Sequence, residues 1–264
     1  MNKISILGCG WLGFPLAQHL IEKDFCVKGS TTSAAKMDLF LENKITPFKI
    51  DLTENEIKGE IKAFLNESEV LIIAIPPKLR QSNAENFVSK IQLLIPHIQQ
   101  SKIQKVLFIS STAVYGDSQQ EVDENSPTNP ETESGKQLLE AEQLLQSKFS
   151  TTIIRFGGLI GPNRNPARFL SGQQNLENPD APVNLIHLND CISIIYTILQ
   201  KQSWGTTFNA VAPQHPTRKA YYTNKATELG LPLPQFQHTN NSIGKTVHCN
   251  ALYDLLDYSF QKEI

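Results

Sequence analysis

The sequence predicts an α/β chain, a doubly wound parallel sheet followed by a small C-terminal α/β lobe, and three observations carry that prediction. Ile4, Ile6 and Leu7 form an apolar run of strand length that passes directly into Gly8, Gly10 and Gly13. Leu12, Leu16, Ala17, Leu20 and Ile21 then recur at helical spacing up to Lys23. Residues 70–75 (VLIIAI) are apolar without interruption, as expected of a parallel strand covered on both faces. Strand-like and helix-like segments alternate to about residue 157. Two regions follow: residues 1–157, a dinucleotide-binding domain of Rossmann type, and residues 158–264, a small substrate lobe interleaved with the sheet.

The first strand and turn read KISILGCGWLG, with the glycines spelling G-x-G-x-x-G. Gly8 permits the tight turn, Gly10 lets the backbone approach a pyrophosphate, and Gly13 lets the helix pack closely on the strand. The phosphates would rest on the N–H groups around Trp11, Leu12 and Gly13, at the positive end of the helix dipole. A glycine turn can also serve packing alone; flanked by both required elements, this one is read as holding NAD or NADP. Cys9 inside the turn is either a small filler or a thiol activated by the helix end.

A second strand is expected over residues 25–29 (FCVKG), followed by Ser30, Thr31, Thr32 and Ser33. An Asp or Glu here would hold the ribose hydroxyls of NAD, and none is present. Thr31, Thr32 and the following Lys36 suit a 2′-phosphate, which mildly favours NADP, while Ser33 also serves as a cap for a helix over 34–42. A third strand over 45–50 leads to Asp51 and Leu52, placed to cap a helix over 54–66 or to meet the adenine. The strand at 70–75 closes on Ala74, Ile75, Pro76 and Pro77, whose prolines end the ladder beside the cofactor's ribose and phosphate. A helix over 84–100 and a strand over 106–109 complete this half before the helix at 133–146.

The net charge of −2 provides no general attraction to nucleic acid or an anionic membrane. No apolar run approaches the roughly 20 residues of a membrane span, and the N-terminus lacks a secretory pattern. Cys9, Cys26, Cys191 and Cys249 are widely spaced and form no C-x-x-C, so no metal site or disulfide framework is expected. A cytoplasmic protein with a small-molecule partner follows, a homodimer being left open.

Residues 110–116 (SSTAVYG) resemble the S-S-x-x-V-Y-G signature of the extended short-chain dehydrogenase/reductase superfamily, which includes nucleotide-sugar epimerases and dehydratases. Residues 155–162 (RFGGLIGP) and 185–195 (LIHLNDCISII) resemble two further segments of that superfamily. The G-x-G-x-x-G spacing and the Pro76-Pro77 pair are most similar to its atypical members, the NAD-dependent epimerase/dehydratase and nucleoside-diphosphate-sugar epimerase type. The resemblance implies that Ser110, Phe156 and Gly157 border the cofactor and that Ser111 takes the catalytic Ser/Thr position. It also implies a Tyr-x-x-x-Lys on the next helix, with Tyr as general acid/base and Lys lowering its pKa. Alignment puts Ser134 at the Tyr position and Leu138 at the Lys position, whereas a slipped register keeps Lys136 as the ribose-binding lysine. Neither register supplies a tyrosine, and a serine hydroxyl is a far weaker acid. Tyr115 is the substitute acid to test. Thr112 and Ala113 stand where the resemblance sets the Asp-Glu of dehydratases, which argues against that activity. A literal Tyr-x-x-x-Lys at Tyr221 and Lys225 falls after the sheet and reads as packing.

Residues 162–182, rich in Asn, Gln, Gly and Pro, read as a substrate loop carrying Arg164 and Arg168. A helix over 189–201, a strand over 206–211, a helix over 216–229 and a short strand over 234–238 complete the lobe. The expected function is NAD(P)-binding, epimerase/dehydratase-like oxidoreductase or isomerase chemistry on a small polar or sugar-nucleotide-like substrate. The alternative is a non-catalytic NAD(P) sensor or scaffold.

Overall fold

The computed structural model describes residues 3–79, 84–237 and 243–264. Seven parallel strands form its centre: β1 (Lys3–Leu7), β2 (Cys26–Thr31), β3 (Thr46–Lys49), β4 (Val70–Ile73), β5 (Lys105–Ser111), β6 (Ser150–Phe156) and β7 (Thr207–Ala210). Their spatial order is β3-β2-β1-β4-β5-β6-β7, so the chain winds outward from β1 in one direction and then in the other. The switch lies between β1 and β4, where Ile4 faces both Val27 and Val70 in register. In such sheets ligands bind beyond the carboxyl ends of the strands at this crevice.

Helices α1 (Gly13–Glu22), α2 (Met37–Glu42), α3 (Ile61–Leu65), α4 (Phe87–Gln99) and α5 (Glu133–Gln146) cover the sheet, as do α7 (Leu188–Lys201) and α9 (Asn250–Leu256); α6 (Ala167–Leu170) and α8 (Arg218–Glu228) pack together in the lobe. The strand β4 is buried at all four positions, consistent with its uninterrupted apolar sequence. Strand β7 and helix α7 come from beyond residue 157 yet complete the main layers, while Ile160, Val183, Leu185 and Tyr221 form a separate small cluster in the lobe. Tyr221 is buried there, and Lys225 pairs with Glu228 at 3.2 Å, in keeping with a packing role for that Tyr-x-x-x-Lys.

Several elements differ from expectation. The helix expected over 54–66 is instead a hairpin, Asp51–Leu52 against Ile57–Lys58, followed by the short α3. Thr53 Oγ1 accepts the N–H groups of Asn55 and Glu56, and Gly59 adopts φ +111° with its Cα against the Lys49 carbonyl, so the chain turns before any helix can run. Ser33 does not cap with its side chain; its N–H donates to Thr31 Oγ1 at 3.1 Å and the next turn is a 3₁₀ segment, Ala34–Lys36. The expected strand over 234–238 is reduced to a single bridge between Leu176 and Phe236, and its last residue lies outside the described ones. Two short parallel pairs, Gly158–Ile160 with Leu185–His187 and Glu121–Val122 with Thr246–Val247, and the helix α9 had no clear pattern in the sequence.

Candidate functional site

The chain leaves β1 through Gly8, whose φ of +104° lies in the region that side chains disfavour. Its N–H donates to the Ser30 hydroxyl at 2.8 Å, and the Cys9 N–H donates to the Ser30 carbonyl at 2.9 Å. Ser30, buried at the end of β2, therefore moors the turn and is not available to a ligand. A Cβ on Gly13 would fall 2.3 Å from the Gly8 oxygen, so only glycine lets α1 start this close to the turn. A Cβ on Gly10 would meet nothing within 4 Å. Gly8 and Gly13 thus serve the turn's own geometry, whereas Gly10 faces open space. The first turn of α1 contains no acidic residue; the Gly10 N–H donates to the Gly8 carbonyl, the Phe14 N–H to the Gly10 carbonyl, and Pro15 has none, so the N–H groups of Trp11, Leu12 and Gly13 are the ones left without a backbone acceptor among the described residues. These residues fit a dinucleotide diphosphate. Cys9 is buried, its thiol pushed up to about 12 by burial, and it acts as filler.

The walls of the crevice follow from the same elements. The Ala74 N–H extends the ladder beyond β4 by donating to the Leu7 carbonyl at 2.8 Å, and half-buried Ile75 and Pro77 with exposed Pro76 continue beside the glycine turn. Thr32 and Lys36 are exposed at the end of β2, with Thr31 half-buried between them and the sheet. Asp51 is exposed in the hairpin and caps no helix; Leu52 turns its side chain into the core.

At the end of β5 the resemblance's candidate residues are held as follows. Ser110 is buried and donates its hydroxyl to Glu142 of α5, so its side chain is already engaged. Ser111 closes β5 half-buried, its oxygen accepting the Ala113 N–H at 3.2 Å. Tyr115 is 1% exposed, and its phenol donates to Asn209 Oδ1 at 2.9 Å while accepting from Arg155 Nη1 at 2.8 Å. Burial raises the phenol's pKa, outweighing the lowering by Arg155. The phenol thus has both its partners inside the core.

The helix α5 meets the strand end at Gly135, where a Cβ would lie 2.2 Å from the Ala113 carbonyl oxygen. Ser134, half-buried, precedes it in the first turn of α5. Ser134, Leu138 and Glu142 are spaced four apart and share the inward face. Leu138, which the resemblance sets at the lysine position, is buried and apolar. Lys136 is exposed on another face of α5, four residues after the exposed Thr132 with which the slipped register pairs it.

Two features were not legible in the sequence. Arg155 Nε and Nη2 donate to both oxygens of Glu142 at 2.7–3.2 Å, and with Ser110, Tyr115 and Asn209 they make a buried network beneath the site. Burial opposes the Arg155 charge, but the bonds and charge of Glu142 more than offset it and raise its pKa. Above the site, Trp11 Nε1 donates to the Pro162 carbonyl at 2.9 Å and the Arg164 guanidinium lies over the indole at 5.0 Å. The glycine turn is thereby tied to the loop that follows the Gly158–Ile160 strand. Phe156 is buried, and a Cβ on Gly157 would fall 2.6 Å from the Asn184 oxygen, so Gly157 lets the chain pass close against that carbonyl.

With this geometry in place, residues 4–210 match the model of the NAD dependent epimerase/dehydratase family. The chain belongs to that family. Across 99% of its length it is 33% identical to protein YeeZ of Escherichia coli strain K12, covering 96% of that protein. It is 24% identical to an uncharacterized UDP-glucose epimerase, YtcB of Bacillus subtilis strain 168, over 75% of this chain and 73% of YtcB. Its fold is similar to UDP-glucuronic acid 4-epimerase of Bacillus cereus, a structure in complex with UDP-glucuronic acid and NAD, with a TM-score of 0.81, 19% identity, and coverage of 99% and 95%. Among the described residues no helix is long and apolar enough to cross a membrane, and no group of three or more His, Cys, Asp or Glu is placed to hold a metal.

Proposed function

We propose that this chain holds NAD or NADP across the carboxyl ends of β1 and β4 and receives a small polar or sugar-nucleotide-like ligand from the 158–264 lobe. The observation carrying this reading is Gly10: a glycine whose missing side chain faces open space, between two glycines that are needed for packing. When bound, the nicotinamide supplies hydride exchange. The chain's own residues bind and orient: the Gly10 to Gly13 backbone for the diphosphate, Ala74 to Pro77 for the ribose side, Ser111 and Ser134 for the hydroxyl-bearing end of a ligand.

The reading favoured by the helix geometry is a dinucleotide and ligand sensor without the tyrosine-driven cycle, because Leu138 leaves no cation to lower a hydroxyl's pKa. A second reading, a slow oxidoreductase or isomerase, is favoured by Ser111, whose oxygen accepts a backbone N–H and keeps its proton for a ligand. Calorimetric titration with NAD and NADP, followed by turnover assays on a sugar-nucleotide panel, separates the two. Micromolar cofactor binding with no turnover supports the sensor, and turnover abolished by Ser111→Ala supports the enzyme. Absence of binding by either dinucleotide would overturn the proposal.

A further inference from the structure

Arg164 is the only arginine of the 162–182 loop with its guanidinium fixed on both its flat face and its inner nitrogen among the described residues. Its Nε donates to the Leu159 carbonyl at 3.0 Å, and its plane lies over the Trp11 indole. A two-way backbone bridge with Gly161 (3.0 and 3.1 Å), closed by Asn163 at φ 58°, shapes the turn that delivers it. The Pro162 carbonyl, inside the same turn, takes the indole N–H. Both ends of the stack are therefore held. Neither Nη1 nor Nη2 has a hydrogen-bond acceptor among the described residues, and no carboxylate there lies within ion-pair distance.

A stack on tryptophan alone would leave the arginine's outer donors in water, and a pinned guanidinium gives up rotamer freedom without a polar return. The return is available next door. Trp11 directly follows Gly10, the glycine that faces open space, so the guanidinium stands beside the place that the proposed cofactor's diphosphate would take. Arginine's planar fork suits two phosphate oxygens at once. We propose that Arg164 is a positioning residue for that diphosphate, reaching over the glycine turn from the lobe side on its Trp11 platform. This rests on the dinucleotide reading above. It makes cofactor binding a contact between the sheet and the lobe, since α1 and the 159–164 turn then grip one anion.

The test is titration of the full chain with NAD and, separately, with UDP at several salt concentrations, for wild type, Arg164→Gln and Arg164→Lys. Thermal melts would first confirm that the variants fold. Arg164→Gln is expected to weaken NAD about tenfold to a hundredfold and to flatten the salt dependence of its affinity. Arg164→Lys should recover the salt dependence and only part of the affinity, because it keeps the charge and loses the fork. UDP affinity should be unchanged in both. Unchanged NAD affinity in Arg164→Gln would overturn the assignment while leaving the dinucleotide reading intact. Loss confined to UDP would overturn it in favour of a ligand-side role, and a wild type that binds neither NAD nor NADP would remove both readings together.

Discussion

The Arg155 guanidinium donates to the phenol oxygen of Tyr115 across 2.8 Å, with the ring of that same tyrosine 5.1 Å from the guanidinium carbon. The tyrosine of the S-S-x-x-V-Y-G segment is thus part of the scaffold: it links β5, β6 and, through Asn209, β7. Replacing it with Phe keeps the ring and strands the Arg155 donor and the Asn209 oxygen. Tyr115→Phe is expected to lose about 1–3 kcal/mol of stability in urea denaturation and to keep NAD affinity within about twofold. A variant with wild-type stability but abolished turnover would return Tyr115 to a chemical role.

The second and third glycines of the turn separate folding from binding. A methyl on Gly13 collides with the Gly8 carbonyl, so Gly13→Ala should destabilise the fold by about 1–3 kcal/mol, as at other overpacked sites. Gly10→Val adds its side chain to open space and should melt close to wild type while losing dinucleotide binding. Melting curves and calorimetry on the pair check this. Undiminished affinity in a folded Gly10→Val protein would remove the cofactor site from this turn.

Cofactor choice depends on the end of β2, where Thr32 and Lys36 are exposed and no acidic residue stands in the 30–36 stretch. Lys36→Ala is expected to weaken NADP by about threefold to tenfold, as for loss of one exposed charge contact, and to leave NAD unchanged. Parallel titrations with both dinucleotides decide it. A wild type that prefers NAD clearly would assign Thr31, Thr32 and Lys36 to other work.

Alkaline pH should expose the buried thiols. Burial pushes Cys9 and Cys249 up to about 12 and raises Cys191 well above 9.0. A folded-state pKa above the unfolded value gives stability that is complete below about 9 and lost as pH rises toward 12. Each thiol should then cost about 1.4 kcal/mol per pH unit in that window. Cys9→Ala, compared with wild type in urea denaturation at pH 8 and pH 10, should show a shallower fall by that amount. Equal slopes would show that the Cys9 thiol ionises as readily folded as unfolded.

The sequence by itself determined the strand, glycine turn and helix at the N-terminus, the alternation that makes a doubly wound sheet, and the want of a tyrosine on α5. These are local matters: strand-length apolar runs, glycines at fixed offsets and residue identity at one helical position. It misjudged residues 54–66, where Thr53 and Gly59 override helical spacing by side-chain and positive-φ turns. Only the tertiary structure decided which partners Tyr115 and Ser110 take and that Lys136 is exposed. Their roles depend on which face of an element points inward and on partners far along the chain: Asn209 lies 94 residues from Tyr115, and Glu142 lies 32 from Ser110. The same holds for Trp11, whose indole meets a carbonyl 151 residues away. No spacing rule reaches that far, because such contacts are set by the packing of complete layers.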